Sequence, residues 1–481
     1  MNVKLNRKQL KDKILGCWIG KNIGGTMGAP YEGMRKLLNV TGYATPKGQP
    51  LPNDDLDLQL VWLRAMEEVG PYSMSSNILA EYWLSEIAPH WNEYGIAKSN
   101  MSNGILPSLS GEICNKDWKH SNGAWIRSEV WATLAPGFPN VAIKYAIMDA
   151  CIDHGNGEGT YGEIFTAALE SIAFVEKDIR KIVEKALTYI PAESYLAKCV
   201  NLVLTEYDKG TPYQDVRNML VESTKELGWF QAPANIGFTV IGLLYGEGDI
   251  KQSLIYAINC GDDTDCTAAT CGSILGILYG AERIPLELKE YIGDKIVTLS
   301  INGSYIDEIA KSCTALTERV MKMIPTVLNA NGVYMEYTDL DAEYDKEAAF
   351  AVLEGVSAGF LNRGRYSFEV NNGHHWKALV EYEKEPFIKA NEEFKVKITF
   401  DHKFHQTFRA DVDMDLPEGF SAEYDKTVYM YYHNQTFVTT ATYEVVIKAG
   451  EKIAPRNHIV MSVRSGLNPL PLFIPITLLG K

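Results

Sequence analysis

Two stretches of the chain crowd carboxylates together: Pro52-Asn-Asp-Asp-Leu-Asp57 and Asn259-Cys-Gly-Asp-Asp-Thr-Asp-Cys266. Each places three acids within four positions, beside an expected helix start. One or two acids there would cap the helix and complement its dipole. Three so close repel one another unless solvent or cations neutralise them. Several hard oxygen donors, without the His and Cys spacing of zinc sites, suit Mg²⁺, Mn²⁺ or Ca²⁺. Two such turns converging would form a two-metal site, a device that acidifies bound water.

Helices must position these turns. From Leu10 to about Met323 the apolar residues recur at three- and four-residue spacing, as in Ser76–Ser85, Ile164–Val175 and Ser194–Leu204. That period predicts amphipathic or buried helices, and no strand–helix alternation interrupts it. Leu58 to Met66 is the helix expected after the first acidic turn. Gly16, Gly20, Gly24 and Gly28 recur every fourth residue, and Gly272, Gly276 and Gly280 repeat the pattern after the second turn. Glycine inside a helix costs about 1 kcal/mol relative to alanine. Such ladders therefore predict close helix–helix approach; they place helices and carry no chemistry.

After Asn329-Ala-Asn-Gly332 the period changes to two. Arg365–Val370, Phe394–Phe400, Val428–Tyr432 and Thr440–Ile447 alternate, with Asn372-Gly373 and Pro417-Glu-Gly419 as turns between them. This predicts an antiparallel, Ig-like β-sandwich. The expected fold is an all-α catalytic domain over residues 1–330 and an all-β accessory domain over 331–481. His402 and His405, three residues apart on a strand, point to opposite faces and are read as exposed histidines without a shared metal. Neither His374-His375 nor the Asn434-Gln-Thr436 sequon receives a role.

Composition narrows the partners. A net charge of -15 gives no basic footprint for nucleic acid or anionic membranes. No run of eighteen apolar residues suggests a membrane span. The polar start Met1–Lys8 lacks a signal-peptide pattern, and eight scattered cysteines fit reduced thiols, so a cytoplasmic protein is expected.

Five segments carry a resemblance. In order they are Gly24-Gly25-Thr-Met-Gly28-Ala-Pro-Tyr-Glu32, Asn53-Asp54-Asp55, Ser121-Asn122-Gly123-Ala124-Trp125-Ile126-Arg127, Asp153-His154 and Gly261-Asp262-Asp263-Thr264-Asp265-Cys266. Over about residues 14–290 the chain resembles the ADP-ribosylglycohydrolase family. The resemblance implies an all-α bundle that binds two Mg²⁺ or Mn²⁺ ions. Its metal ligands would be Asp54, Asp55, Asp263 and Asp265, with Asn53 and Cys266 standing where the family has threonines. Glu32, Asp55 and Asp263 would be catalytic, and Asn122, Gly123 and His154 would bind substrate. The implied reaction is hydrolysis of an ADP-ribosyl or related ribosyl glycosidic bond by water activated at a binuclear metal centre. The substrate would be a small molecule or a glycoside linked to a side chain.

This chain departs from the family pattern. Gly25 replaces an aspartate, Asp153 replaces a small hydroxyl residue, and Cys266 offers a thiol that Mg²⁺ binds poorly. Asp57 and Asp262 add acids near the site. Arg127 is expected to pair with a carboxylate; Trp118, Trp125 and Trp131 are candidates for stacking a base or sugar, with a core role as the commoner use of tryptophan. The departures keep open a different N- or O-glycoside, such as a nucleoside or pentoside. A catalytically inactive ADP-ribose-binding protein is the reading from another class, and retention of all four aspartates argues against it.

Overall fold

A computed structural model describes the whole chain except residues 341–344, 373–375, 403, 405 and 434–438. The expectations for His374-His375, His405, the Asn434 sequon and the Gly373 turn fall outside the described residues. The helical half holds four helices that matter most here: α1 (Arg7–Gly28), α2 (Asp54–Val69), α3 (Pro139–His154) and α4 (Thr264–Tyr279). Among the described residues no helix is long and apolar enough to cross a membrane, and the eight cysteines form no disulfide.

The glycine ladders do what their spacing predicts. A methyl group on Gly16, Gly20, Gly24 or Gly28 would sit 2.3, 2.0, 2.1 or 2.2 Å from the carbonyl oxygens of Gly276, Gly272, Ala268 and Thr264 respectively. The two helices thus run antiparallel with backbones touching, and any larger side chain would force them apart. Gly280 is the exception. It ends α4 at φ +81°, and the contacts are continued by Ala268 and Thr264 instead.

The helical half is not purely helical. β1 (Asn2–Asn6) pairs in parallel with β2 (Tyr334–Thr338), tying the start of the chain to the end of the bundle. Val333, Ala349 and Phe360 join the helical core.

The second half is the expected sandwich. β3 (Ser367–Asn372), β4 (Trp376–Tyr382), β6 (Glu393–His402), β10 (Thr440–Lys448) and β8 (Ser421–Glu423) form one sheet in the order 3-4-6-10-8. β5 (Phe387–Ile388), β12 (Asn468–Gly480), β11 (Arg456–Ser465), β7 (Phe408–Asp415) and β9 (Thr427–Met430) form the other in the order 5-12-11-7-9. Alternate residues such as Phe394, Val396, Ile398 and Phe400 point into the core between the sheets. His402 corrects the sequence reading: it is buried, packed on Phe404 and Phe408, with Nε2 3.3 Å from the Tyr431 carbonyl. The alternation of β6 continues two residues past the apolar run, and that carries His402 inside. Ile105, Leu109 and Ile113 of the helical half complete this core. Ser108 Oγ donates to the Ser367 carbonyl at 2.9 Å, and Arg365 pairs with Glu112.

Candidate functional site

The contact between α1 and α4 decides where the acids meet. At its end, Thr264 Oγ1 donates to the Gly28 carbonyl at 2.8 Å. Beyond it, Gly33 N donates to the Asp262 carbonyl at 2.8 Å, and Asp262 N donates to the Met34 carbonyl at 3.0 Å. This clasp holds Glu32 against the second acidic turn. Carboxylate oxygens of Glu32, Asp263 and Asp265 lie within 4.8 Å of one another, as do donor atoms of Asp55, Asp265 and Cys266. Asp54 lines the same cavity. The two turns therefore converge, each at the start of a helix.

Not every acid of the turns belongs to the centre. Asp57 Oδ2 accepts the Leu299 and Ser300 amides, both at 2.6 Å. Asp262 Oδ2 accepts the Asn235 amide at 2.9 Å and Phe230 N at 3.1 Å. These two acids fasten loops.

Two of the remaining carboxylates keep an oxygen without a protein partner. Asp55 Oδ2 and Asp265 Oδ1 are buried without a hydrogen bond. Burial first, and then Asp265, pushes Asp54 up to about 6. Asp265 and then burial push Glu32, exposed at the mouth, up to about 7. Burial, with neighbouring aspartates, drives Asp55 and Asp263 well above the usual carboxylate range. The one cation beneath them, Lys21, lies 3.8 Å from Asp55 Oδ2 but donates to Glu129 Oε1 at 2.8 Å and to the Ile126 carbonyl at 2.7 Å. Its charge is already engaged. Hard, orphaned, mutually repelling oxygens are a donor set that fits divalent cations.

The two replaced threonines behave differently. Asn53 caps α2, its Oδ1 accepting Asp55 N at 2.9 Å, and it does not line the cavity. A methyl group on Gly25 would sit 1.9 Å from Asn53 Nδ2. Two departures from the family pattern are therefore one structural change: the missing side chain at Gly25 makes room for the larger amide. Cys266 lies 3.3 Å from Asp55 Oδ1. Burial and the surrounding aspartates raise its pKa strongly, so it donates as a protonated thiol.

The facing wall comes from the Asn122–Gly123 loop. Asn122 Nδ2 donates to Asp263 Oδ2 at 2.6 Å, and its Oδ1 accepts Trp125 Nε1 at 2.9 Å. His154, at the end of α3, is fully buried; Ser121 lies between it and the cavity, with Ser121 Oγ 3.1 Å from His154 Nε2. Arg127 pairs as expected: its guanidinium reaches Asp149 at 2.9 Å and Asp153 at 2.8 Å. The arginine attraction, outweighing burial, holds Asp153 down at about 2. Trp125 and Trp131 are core residues, while Trp118 lines the cavity.

The cavity measures about 160 Å³. Sequence reasoning missed three of its features. Lys21 was signalled only by a charge inside a glycine ladder. Ser121 stood in a quoted motif without a role. Trp91, Glu93 and Tyr94, which also line the cavity, belong to a helix-start segment that no motif marks.

The chain is similar to several known proteins. An uncharacterized protein of Archaeoglobus fulgidus is 21% identical over 334 residues, covering 65% of this chain and 100% of that protein. A solved ADP-ribosylglycohydrolase-related protein complex is similar at 18% identity and a TM-score of 0.43, covering 66% of this chain and 99% of its own. A FixG-related protein from Vibrio parahaemolyticus covers 22% of this chain and 96% of its own, at 10% identity and a TM-score of 0.19. The family model for ADP-ribosylglycohydrolase matches residues 6–322, well over half of the 481, and the chain belongs to that family.

Proposed function

We propose that the chain hydrolyses a glycosidic bond with the help of two divalent cations, Mg²⁺ or Mn²⁺, held by Asp54, Asp55, Asp263 and Asp265. The observation that carries this reading is the convergence of two acidic turns that leave Asp55 Oδ2 and Asp265 Oδ1 buried without a hydrogen-bond partner. When bound, such cations supply the positive charge that acidifies a water and holds vicinal sugar hydroxyls.

The chain's own residues do the rest. Glu32, at the mouth of the cavity beside Asp263 and Asp265, is placed to exchange a proton at its carboxyl oxygen. Asn122 holds Asp263 through its amide, fixing which carboxylate oxygen faces the cavity. Lys21 offsets part of the charge beneath Asp55 and keeps that side chain in place. Family membership makes an ADP-ribosyl bond the first candidate substrate; a nucleoside or pentoside is the second, favoured by the acidic lining of the cavity. A binding protein without catalysis fits less well, because Glu32 and all four aspartates are present and assembled. The reading places the activity on a small molecule or a modified side chain, in the cytoplasm.

The test is turnover of a glycoside panel by the full chain, with Mg²⁺ or Mn²⁺ and after chelation. Loss of turnover on chelation supports the reading; metal-independent turnover rejects it.

A further inference from the structure

The cavity wall carries a charge pattern that narrows the substrate. Glu32, Asp54, Glu93, Asp263 and Asp265 line it, and among the described lining residues there is no lysine, arginine or histidine. The buried cations nearby are paired elsewhere, and Arg35 is exposed outside the lining. Lys21 serves Glu129, Arg127 serves Asp149 and Asp153, and Arg35 lies over the rings of Trp229 and Phe230.

Glu93 sharpens the pattern. Its carboxylate lies against the backbone of the substrate-side loop: a methyl group on Gly123 would sit 2.2 Å from Glu93 Oε1. Glu93 is 5% exposed, and its Oε2 is buried without a hydrogen-bond partner. An orphaned buried acceptor asks for a donor. A sugar hydroxyl is a donor, whereas an ionised diphosphate brings acceptors and like charge. The rest of the wall suits a sugar as well. Trp91 and Tyr94 stack at 6.1 Å, Trp91 is 44% exposed, and Trp118 and Phe230 also line the cavity. Aromatic faces beside a few polar groups hold the C–H faces of sugars without needing charge.

We infer that this site takes an uncharged glycoside, recognised by the Glu93 carboxylate and the aromatic wall, and that Glu93 disfavours substrates carrying a diphosphate. The inference rests on the glycoside-hydrolysing reading and narrows its substrate class.

The experiment is calorimetric titration of the Mn²⁺-loaded full chain. The probes are ADP-ribose and a panel of uncharged 4-nitrophenyl thioglycosides, covering pentosides and hexosides, that resist hydrolysis. The expected result is at least one thioglycoside binding about tenfold or more tighter than ADP-ribose at low salt, with ADP-ribose affinity rising as salt screens the repulsion. Glu93→Gln should shift the affinity ratio towards ADP-ribose by about fivefold or more. Tighter binding of ADP-ribose, or no binding of any thioglycoside, overturns the inference. Turnover is scored separately on the matching O-glycosides: binding without hydrolysis leaves the substrate class standing and removes the hydrolytic reading.

Discussion

The two acidic turns look alike in sequence and divide their labour alike in space. Each starts a helix, each carries three aspartates, and each sends two to the acid cluster while the third fastens a loop. Asp57 holds residues 299 and 300, and Asp262 holds Phe230 and Asn235. The difference between the two kinds of acid is visible in their partners. The tethers each accept two amide donors from neighbouring segments, whereas Asp55 and Asp265 leave an oxygen bare and lie in the acid cluster. Crowded carboxylates on a helix start thus combine two functions, and only the hydrogen bonds separate them.

Substitutions should separate them too. Asp263→Asn should abolish turnover, by more than the roughly 10–100-fold typical of outer-shell changes around a metal, with the circular dichroism of the fold preserved. Surviving turnover would remove Asp263 from the centre. Asp57→Ala should do the opposite: it strands two buried amide donors and should cost about 2–4 kcal/mol of stability in denaturant melts, with metal affinity little changed. A large loss of metal binding at normal stability would make Asp57 a ligand.

A smaller effect sharpens the comparison at the first turn. Gly25→Ala should destabilise by about 1–3 kcal/mol through its clash with Asn53. Asn53→Ala in the same chain should recover most of that loss, a coupling readable in a double-mutant cycle. Additive losses would mean that the two positions are independent.

Acidity offers a fourth test. In the metal-free fold Asp54 keeps its proton to about pH 6 and Glu32 to about pH 7, whereas an unfolded chain releases such protons near about pH 4. The folded state binds more protons in that window, so its stability falls as pH rises from about 4 to about 7. Thermal midpoints of the chelated chain should therefore drop across that range, and saturating Mg²⁺ should remove the drop. A midpoint that ignores both would show that the carboxylates do not repel. The smallest effect is reserved for Cys266→Thr, which should shift the Mg²⁺/Mn²⁺/Zn²⁺ preference by less than about tenfold, because the thiol sits protonated against Asp55.

Much of this was legible in the sequence because spacing and chemistry coincide there. Glycine every fourth residue requires a close helix contact, and acids at helix starts require neutralisation. The change of period after residue 332 requires sheets. What stayed hidden depends on contacts between distant segments. Lys21 gains meaning only beside Glu129 and Asp55. Glu93 gains it only against Gly123, some thirty positions away. His154 follows the family motif, yet Ser121 stands between it and the cavity. His402 is buried because packing, not local polarity, sets the end of its strand.

The most direct measurement is titration of metal-stripped full chain with Mn²⁺, followed by calorimetry and by electron paramagnetic resonance. The expected result is two ions per chain, magnetically coupled, with binding weakened sharply by Asp263→Asn. Absence of binding, or binding indifferent to that substitution, would contradict the assignment of the two turns as a metal centre.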